Sequence, residues 1–389
     1  MSAWTRIYSV AVRETGIWRK RPIYLIGSLV TLIFCSVFFI SFFSKGLPDE
    51  LPIGIVDLDN SSLTRNFTSQ LEATQLGKTV SFDSFEHARE AMQSGKITSF
   101  VVLPEGLYSD VTASRQPTVT FYVNGLYFVG GALAYQDILT MLNLTNGAVQ
   151  RKSLQARGVN ENAIMGQIKP IEIDTHKIGN PLTNYSVSLV SNLIPGILQM
   201  IVIMILIYSL GAELKYGTSR NLMQTAGGSM TDALAGKLLI YTVYFTALGV
   251  AVEILLYHWL HFPIAGSLWN MVLAIFLMVV ASECLAVFIV GLFPVCRFAL
   301  SIGALTSMLA LSLTGFTMPV EVMPPYIQGF SAIFPLRHYF LFETQEVVYG
   351  AGFAGWWQQV VSFLLYLFLP FLVGGRLKKA YILQNYSRN

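Results

Sequence analysis

The sequence predicts an α-helical integral membrane protein with six transmembrane helices and one α/β extracytoplasmic domain between spans 1 and 2. Of the 389 residues, 53% are hydrophobic and only 12% are charged, whereas soluble domains carry roughly 25% charged residues. Long apolar stretches, one polar segment at 45–185 and an uneven placement of Lys and Arg support this fold class. The small net charge of +3, without a basic tract, predicts no nucleic-acid partner.

Six stretches are long enough to cross the hydrocarbon core, which takes roughly 20 apolar residues as a helix. They lie at 23–44, 187–210, 238–257, 268–293, 298–316 and 358–375. The first follows the basic sequence WRKRP and precedes no small-residue cleavage site, so we interpret it as a retained anchor. The predicted organisation is an amphipathic interfacial helix at 1–22, span 1 at 23–44, the outer domain at 45–185, spans 2–6 at 186–375 and a tail at 376–389.

The orientation follows from Lys and Arg, which accumulate in cytoplasmic segments next to spans. Segments 1–22, 211–237, 294–297 and 376–389 hold five, three, one and four of them. The alternate short segments, 258–267 and 317–357, hold none and one. This asymmetry predicts that both termini and the loop 211–237 are cytoplasmic, and that residues 45–185 and the loop 317–357 are extracytoplasmic.

The N-terminal segment 1–22 has the pattern of an amphipathic helix. Its apolar residues recur at helical spacing, and Arg6, Arg13 and Lys20 recur seven residues apart on another face. Such a helix lies in the membrane interface with its arginines toward anionic headgroups. A segment that only sets topology is the alternative interpretation.

The segment 45–185 alternates strand and helix signals. A β-rich run at 51–59 precedes a helical pattern, and further strand candidates follow, the last at 168–176. This alternation predicts a small α/β domain. It contains no nucleophile–base constellation, and Asp57 and Asp59 lack the spacing of a calcium loop. We therefore expect no catalytic residues and no metal site, and we interpret the domain as a binding or docking module.

Ionisable residues inside the spans are candidates for a substrate path or a gate, because charge at membrane depth is costly. Glu283 lies well inside the fourth span and Glu253 lies near the outer end of the third. A protonated or hydrogen-bonded helix contact is the alternative for both. Pro195 and Gly196 predict a structural break in the second span, which neighbouring helices would have to compensate.

The outer loop 317–357 is apolar but too interrupted by proline to form a span. Pro319 and Pro324 are among its structural breaks, and paired re-entrant or interfacial half-helices fit the pattern. Arg337 is its only basic residue. It is a candidate for anchoring to lipid phosphate or for meeting an anionic substrate.

The polar stretch 211–237, GAELKYGTSRNLMQTAGGSMTDALAGK, is Gly-rich yet lies between two apolar spans. It lacks the G-x-x-x-x-G-K-[ST] pattern of a phosphate-binding loop, because Gly236-Lys237 is followed by Leu238. It does contain two helix starts: Thr218 or Ser219 begins a short helix that ends at the following glycines, and Ser229 begins the next span. The stretch therefore predicts a short helix braced between two spans.

Three sets of motifs resemble the ABC type-2 transporter permeases, the membrane subunits of bacterial ABC exporters. The first is Glu213, Gly217-Thr218, Leu222 and Gly236-Lys237, although Ala226-Gly227-Gly228 stands where a proline is common. The second is Leu313-Thr314-Gly315-Phe316, Pro319, Met323-Pro324 and Phe334-Pro335-Leu336 in the outer loop. The third, IGIVDLDNSSLTR followed by EHAREAMQSGKITSFVVLPEGLYSDV, is similar to the large outer domain of the drug- and macromolecule-export branch.

This resemblance implies a permease of the bacterial inner membrane that associates with cytoplasmic ABC ATPase subunits and pairs with itself or with a paralogous permease. It implies that Glu213, Gly217, Thr218, Arg220 and Leu222 form the element that couples to the ATPase. ATP and Mg would bind to that partner, and this chain would bind no cofactor. A periplasmic adaptor and an outer-membrane channel are further expected partners, beside membrane lipids. The expected cargo is a hydrophobic or amphipathic molecule that moves outward.

Two other functions remain open on the residues alone. An ion-driven secondary transporter would use Glu283, although the halves show no inverted repeat. A membrane-anchored receptor or secretion scaffold would use the outer domain to bind a ligand.

Overall fold

The computed structural model describes residues 2–46, 50–74, 77–113, 115–125, 128–169, 176, 178–181 and 183–383. The chain divides into two compact units, one formed by residues 1–46 with 177–389 and the other by residues 47–176. The first is helical, and the second contains a β-sheet.

The elements of the chain run in the following order. The N-terminal half contains α1 (Ala3–Lys20), α2 (Ile26–Phe42), β1 (Leu51–Asp57), α3 (Ser62–Glu72), β2 (Gly77–Phe82), α4 (Phe85–Gln93), β3 (Ser99–Leu103), α5 (Leu107–Thr112), β4 (Thr120–Val123), α6 (Phe128–Ala156) and α7 (Glu161–Ile168). The C-terminal half contains α8 (Ser191–Lys215), α9 (Ser219–Thr225), α10 (Met230–Glu253), α11 (Leu268–Leu292), α12 (Cys296–Ser312), α13 (Pro325–Ser331), α14 (Pro335–Glu343), α15 (Phe353–Tyr366) and α16 (Leu369–Leu383).

The helical unit is organised around α8 and α11, whose side chains are buried along most of their length. Other helices, such as α2, bury one narrow stripe and expose large apolar residues, including Phe34, Phe38 and Phe42. An apolar outer surface of this kind would be unfavourable in water and suits contact with lipid chains.

Five helical segments among the described residues are long and apolar enough to cross a membrane. They are Pro22–Phe42, Ser186–Lys215, Met230–Trp259, Leu268–Leu292 and Phe353–Leu383. The remaining predicted span, 298–316, overlaps α12, an apolar helix of 17 residues. The chain is thus a mostly helical membrane protein with several spans, and the count of six stays a prediction.

The C-terminal segment differs from the predicted tail. Residues 376–383 continue α16 instead of leaving the helix at 375. Tyr381 is fully buried, and its hydroxyl donates a hydrogen bond to the Leu210 carbonyl at 2.9 Å. Leu377 and Tyr381 therefore pack on the other helices, although the basic residues beside them, Arg376, Lys378 and Lys379, predicted a tail.

The predicted breaks have distinct structural roles. Pro195 lies inside α8, which runs through it, and at Gly196 an added Cβ would clash with Leu311 of α12. Gly196 thus allows the two helices to approach closely. In the loop after α12, Pro319 precedes a 3₁₀ turn and Pro324 precedes α13, so both start short helical segments.

The second unit contains a four-stranded sheet with the order β2-β1-β3-β4. The β1 strand pairs in parallel with both β2 and β3, and β4 pairs antiparallel with β3. Parallel neighbours need crossover connections, which α3 and α4 provide. One face of the sheet packs Ile53 and Ile55 against Phe67 and Leu71 of α3. The predicted strand at 168–176 falls largely outside the described residues.

Candidate functional site

The N-terminal helix α1 packs along α10, which begins at the end of the polar stretch 211–237. The two helices approach closely at Gly236, where an added Cβ would lie 2.5 Å from the Ile7 carbonyl oxygen and 2.7 Å from Val10 Cβ. Glycine is therefore required at this point for the backbones to approach as they do. The contact brings charged residues of α1 close to charged residues of the stretch 211–237.

A buried cluster of four charged side chains joins α1, α8 and α10. Lys237 Nζ lies 2.8 and 2.9 Å from the two carboxylate oxygens of Glu14 and 3.1 Å from Oε1 of Glu213. Arg13 donates two parallel hydrogen bonds to Glu213, at 2.8 and 2.9 Å. We call Arg13, Glu14, Glu213 and Lys237 the buried charge cluster. Two cations offset two carboxylates, so its formal charge is zero.

Polar neighbours complete the hydrogen bonding of both carboxylates. The Tyr241 hydroxyl lies 3.0 Å from Oε1 of Glu14 and 2.8 Å from Ser209 Oγ. Ser209 Oγ is 3.2 Å from the same Glu14 oxygen, and Thr218 Oγ1 is 2.5 Å from Oε2 of Glu213. Because Glu14 is 0% and Lys237 only 1% exposed, breaking this network would leave a charge without compensation at low dielectric.

The arginines of α1 differ in environment from the prediction that they face lipid headgroups. Arg6 forms an ion pair with Asp232 at 2.6 Å, and Arg13 is held by Glu213. Burial disfavours the charged form of Arg13, but its hydrogen bond to Glu213 and the charges of Glu213 and Glu14 outweigh this effect and raise its pKa. The seven-residue spacing correctly predicted that the arginines lie on one face of α1. It carried no information on whether that face meets acidic residues of the protein or lipid phosphate.

The short helix α9 is fixed to the helical unit by one of its faces. Leu222 and Met223 are buried, and Ser219 Oγ donates to the Tyr381 carbonyl at 2.9 Å. Arg220 and Gln224 are exposed, although Arg220 Nε also donates to the Ile382 carbonyl at 3.2 Å. The helix start predicted at Thr218 or Ser219 and the end at the glycines are confirmed by the bounds of α9.

The five residues predicted to couple to an ATPase lie close together but divide into two groups. Glu213 and Leu222 are buried, whereas Gly217, Thr218 and Arg220 are exposed. Gly217 has a φ of 69°, a left-handed conformation that favours glycine. It lies in the turn that leads from α8 into α9. The buried pair therefore holds this turn in place, and the exposed residues are available for contact.

A second group of buried polar side chains joins α10 to α14. Tyr339 donates to Oε1 of Glu253 at 2.7 Å, and Tyr257 donates to Oε1 of Glu343 at 3.0 Å. Each pair has one residue on α14 and one at the end of α10 or in the turn after it. The other carboxyl oxygen of each glutamate makes no hydrogen bond to the described residues. Glu253 is among the residues predicted from the sequence, whereas its counterpart Glu343 is not.

Glu283 and Arg337 lie in separate environments. Thr242 donates to Oε2 of Glu283 at 2.6 Å, and the other oxygen of that carboxyl has no partner among the described residues. Arg337 donates to the Thr314 carbonyl at 2.7 Å and to Glu321 at 3.0 Å. Its guanidinium thus ties the loop that follows α12 to the end of that helix, instead of extending to lipid phosphate.

Replacing Gly236 by alanine is expected to destabilise the contact between α1 and α10. The added methyl group must displace the Ile7 carbonyl or Val10, and such overpacking costs about 1–3 kcal/mol. Unfolding of the purified chain by SDS titration would measure the change. Gly374→Ala is the matched control, because that helical glycine has no atom within 4 Å of the added Cβ. A free energy of unfolding that is equal in the two variants would contradict the prediction.

The chain is similar to known transporter proteins over most of its length. A family model described as ABC-2 family transporter protein matches residues 22–376. The Inner membrane transport permease YhhJ of Escherichia coli (strain K12) is 23% identical over 367 residues, which cover 90% of this chain and 91% of that protein. A protein of the same name from Shigella flexneri matches with the same identity and coverage.

Proposed function

Because this chain belongs to the ABC-2 family of transporter proteins, we propose that it exports a hydrophobic or amphipathic substrate outward across the inner membrane. A permease of this family is the membrane subunit of an ABC transporter and pairs with an ABC ATPase subunit. The sequence contains no phosphate-binding loop of the Walker type, so ATP and Mg would bind to that partner. The observation that carries the proposal is the attachment of α9 to the buried charge cluster.

The exposed face of α9 is the surface that would dock on the ATPase. Its opposite face is buried through Leu222 and Met223, and Glu213 fixes the preceding turn through Thr218. A short helix held in this way moves together with α8 and α10 instead of bending at the turn. Movement of the ATPase would therefore be passed to two spans and, through Arg13 and Glu14, to α1.

The proposed orientation places both termini and α9 in the cytoplasm. Its support is the accumulation of Lys and Arg in the segments that flank α9 and the termini. Residues 47–176 would then lie outside, where the sheet unit is suited to receive substrate or to engage a periplasmic adaptor leading to an outer-membrane channel. The permease would act as a homodimer or with a paralogous permease.

Association with the ATPase tests the docking surface directly. Gln224→Trp places a bulky ring on the exposed face of α9 without removing a buried contact. A misfit at the centre of an interface costs more than about 1.4 kcal/mol of binding free energy, which corresponds to a tenfold loss of affinity. We therefore expect co-purification of the cognate ABC ATPase to fall at least about tenfold. The measurement is the ratio of the two subunits after affinity purification from membranes.

Glu90→Trp in α4 is the control, because it places the same ring on an exposed site of the other unit. It is expected to leave the subunit ratio unchanged. If Gln224→Trp co-purifies as much ATPase as the unaltered chain, α9 is not the docking surface. Transport that persists after deletion of the ATPase would instead favour an ion-driven transporter.

A further inference from the structure

A cavity of about 280 Å³ lies in the helical unit at the end away from the buried charge cluster. Its lining includes Ser191 and Asn192 at the start of α8, Tyr257 after the end of α10, and Glu343 at the end of α14. Since α8 ends and α10 begins at the stretch 211–237, both helices reach the cavity with their opposite ends. The cavity is close to the lower limit of ligand pockets, which span about 300–1,000 Å³.

Two oxygen atoms in the lining of the cavity are hydrogen-bond acceptors without a donor among the described residues. Asn192 Oδ1 and Glu343 Oε2 are buried and make no hydrogen bond to the described residues. The amide nitrogen of Asn192 is already used, since it donates to the Ser188 carbonyl and to Ser191 Oγ at 3.3 Å each. Tyr257 donates to the other carboxyl oxygen of Glu343, Oε1, at 3.0 Å, and the Ser191 side chain belongs to the same lining. A carboxyl oxygen and an amide oxygen thus remain available.

The charge and shape of the lining select among possible ligands. Among the described residues that line the cavity there is no Lys, Arg or His. An anion would therefore meet no positive charge from these residues, and a Glu343 carboxylate would have no counter-charge among them. Aromatic rings from Tyr257, Phe262, Phe316 and Phe340 surround the same space. Such rings attract cations through their faces and pack against apolar groups.

A metal ion fits this lining less well than an organic cation. Among the described residues, no group of three or more His, Cys, Asp or Glu side chains could hold one. Hard cations such as calcium take six or more oxygen ligands, whereas most of this lining is apolar. A protonated amine needs only a few acceptors, and its hydrocarbon part would contact the aromatic rings.

We propose that this cavity binds a protonated amine attached to an apolar or aromatic body, with Glu343 and Asn192 accepting hydrogen bonds from the ammonium group. This inference rests on the proposed function, because it makes such amines the substrate class of the transporter. Binding itself requires neither ATP nor the ATPase. The two conclusions can therefore fail separately.

The test uses the full chain in phosphatidylcholine nanodiscs, without ATP or ATPase, and saturation-transfer NMR. The ligands are 2-phenylethylamine, 2-phenylethanol and phenylacetate, which have similar size but differ in charge. Empty nanodiscs correct for partition into lipid. We expect 2-phenylethylamine to bind at least about tenfold more tightly than either of the others, because hydrogen bonds to charged groups are the stronger ones. Equal binding of phenylacetate or 2-phenylethanol would overturn the proposal without any variant.

Variants locate the binding. Glu343→Gln is expected to weaken 2-phenylethylamine binding about tenfold or more, and Asn192→Leu about three- to tenfold. Glu321→Gln removes an exposed carboxylate of the same outer loop that is not part of the lining, and we expect its affinity to stay within about twofold. Amine affinity that is unchanged in a folded Glu343→Gln variant, judged by size-exclusion elution, would place the amine elsewhere. Export that fails while amine binding persists would reject only the proposed function.

Discussion

Replacing Lys237 by methionine is expected to destabilise the protein by about 3–5 kcal/mol, the cost of removing one partner from a buried ion pair. Lys237 is the cation closest to Glu14, and Arg13 lies 3.8 Å from that carboxylate. Methionine has a similar length and flexibility, so loss of charge and not of volume dominates. Unfolding by SDS titration in detergent would measure the free-energy change.

A double variant separates the charge from other effects of the substitution. Glu14→Gln combined with Lys237→Met removes one carboxylate and one cation, so the remaining Arg13 and Glu213 again balance. We expect at least about half of the lost stability to return, because the free-energy effects of substitutions at contacting residues are not additive. Lys215→Met is the single-site control, since Lys215 is exposed in the same stretch and should change stability by at most about 0.5 kcal/mol. Equal losses for Lys237→Met and Lys215→Met would show that the cluster contributes nothing.

The sequence was sufficient to predict the family and most of the helical elements. The family inferred from three loose motifs is confirmed by the match over residues 22–376. The start of α10 at Ser229 is also confirmed, since that serine accepts a hydrogen bond from the Asp232 amide. Hydrophobic stretches and capping residues are local signals, which explains why they could be interpreted without the structure.

The charged partners of the predicted coupling residues could not be predicted in the same way. Glu213 was selected from its motif, but its partner Arg13 is 200 residues away in the sequence. Spacing within one segment carries no information about such distant contacts. The one available signal was Lys237, a charge placed at the start of an apolar span. It contributed to the predicted orientation and to the family motif, but a buried ion pair was not inferred from it.

Glu343 was missed for a related reason. It falls in the segment 317–357, which is interrupted by prolines and in which an acidic residue is expected to be solvated; only the structure shows that it ends α14 and is buried against Tyr257. Glu253 was identified because it falls in a long apolar run. Burial in an irregular segment is set by the packing of neighbouring helices, and the sequence pattern does not reveal it.

Replacing Glu213 by glutamine is expected to reduce ATP-driven transport at least about tenfold while the ATPase still associates. Glu213 accepts two charged hydrogen bonds from Arg13, one from Lys237 and one from Thr218, so the neutral side chain weakens the attachment of α1 and α10 to the turn before α9. Hydrogen bonds to charged groups contribute about 1.5–3 kcal/mol each. A loss of about 1.4 kcal/mol corresponds to a tenfold change in the population of the conformation in which Arg13 holds the turn before α9. The exposed face of α9 remains in place, so subunit co-purification should change little.

Asp232→Asn is the matched control for this change, because it also neutralises a carboxylate that pairs with an arginine of α1. Its ion pair with Arg6 is more exposed, with 28% of the Arg6 side chain accessible, and partly solvated pairs contribute at most about 1 kcal/mol. Transport by Asp232→Asn should therefore fall by less than about fivefold. The measurements are substrate flux and substrate-stimulated ATP hydrolysis in proteoliposomes that contain both subunits. If Glu213→Gln keeps its flux, or if both variants lose it equally, the bidentate contact to Arg13 does not transmit movement from α9 to the spans.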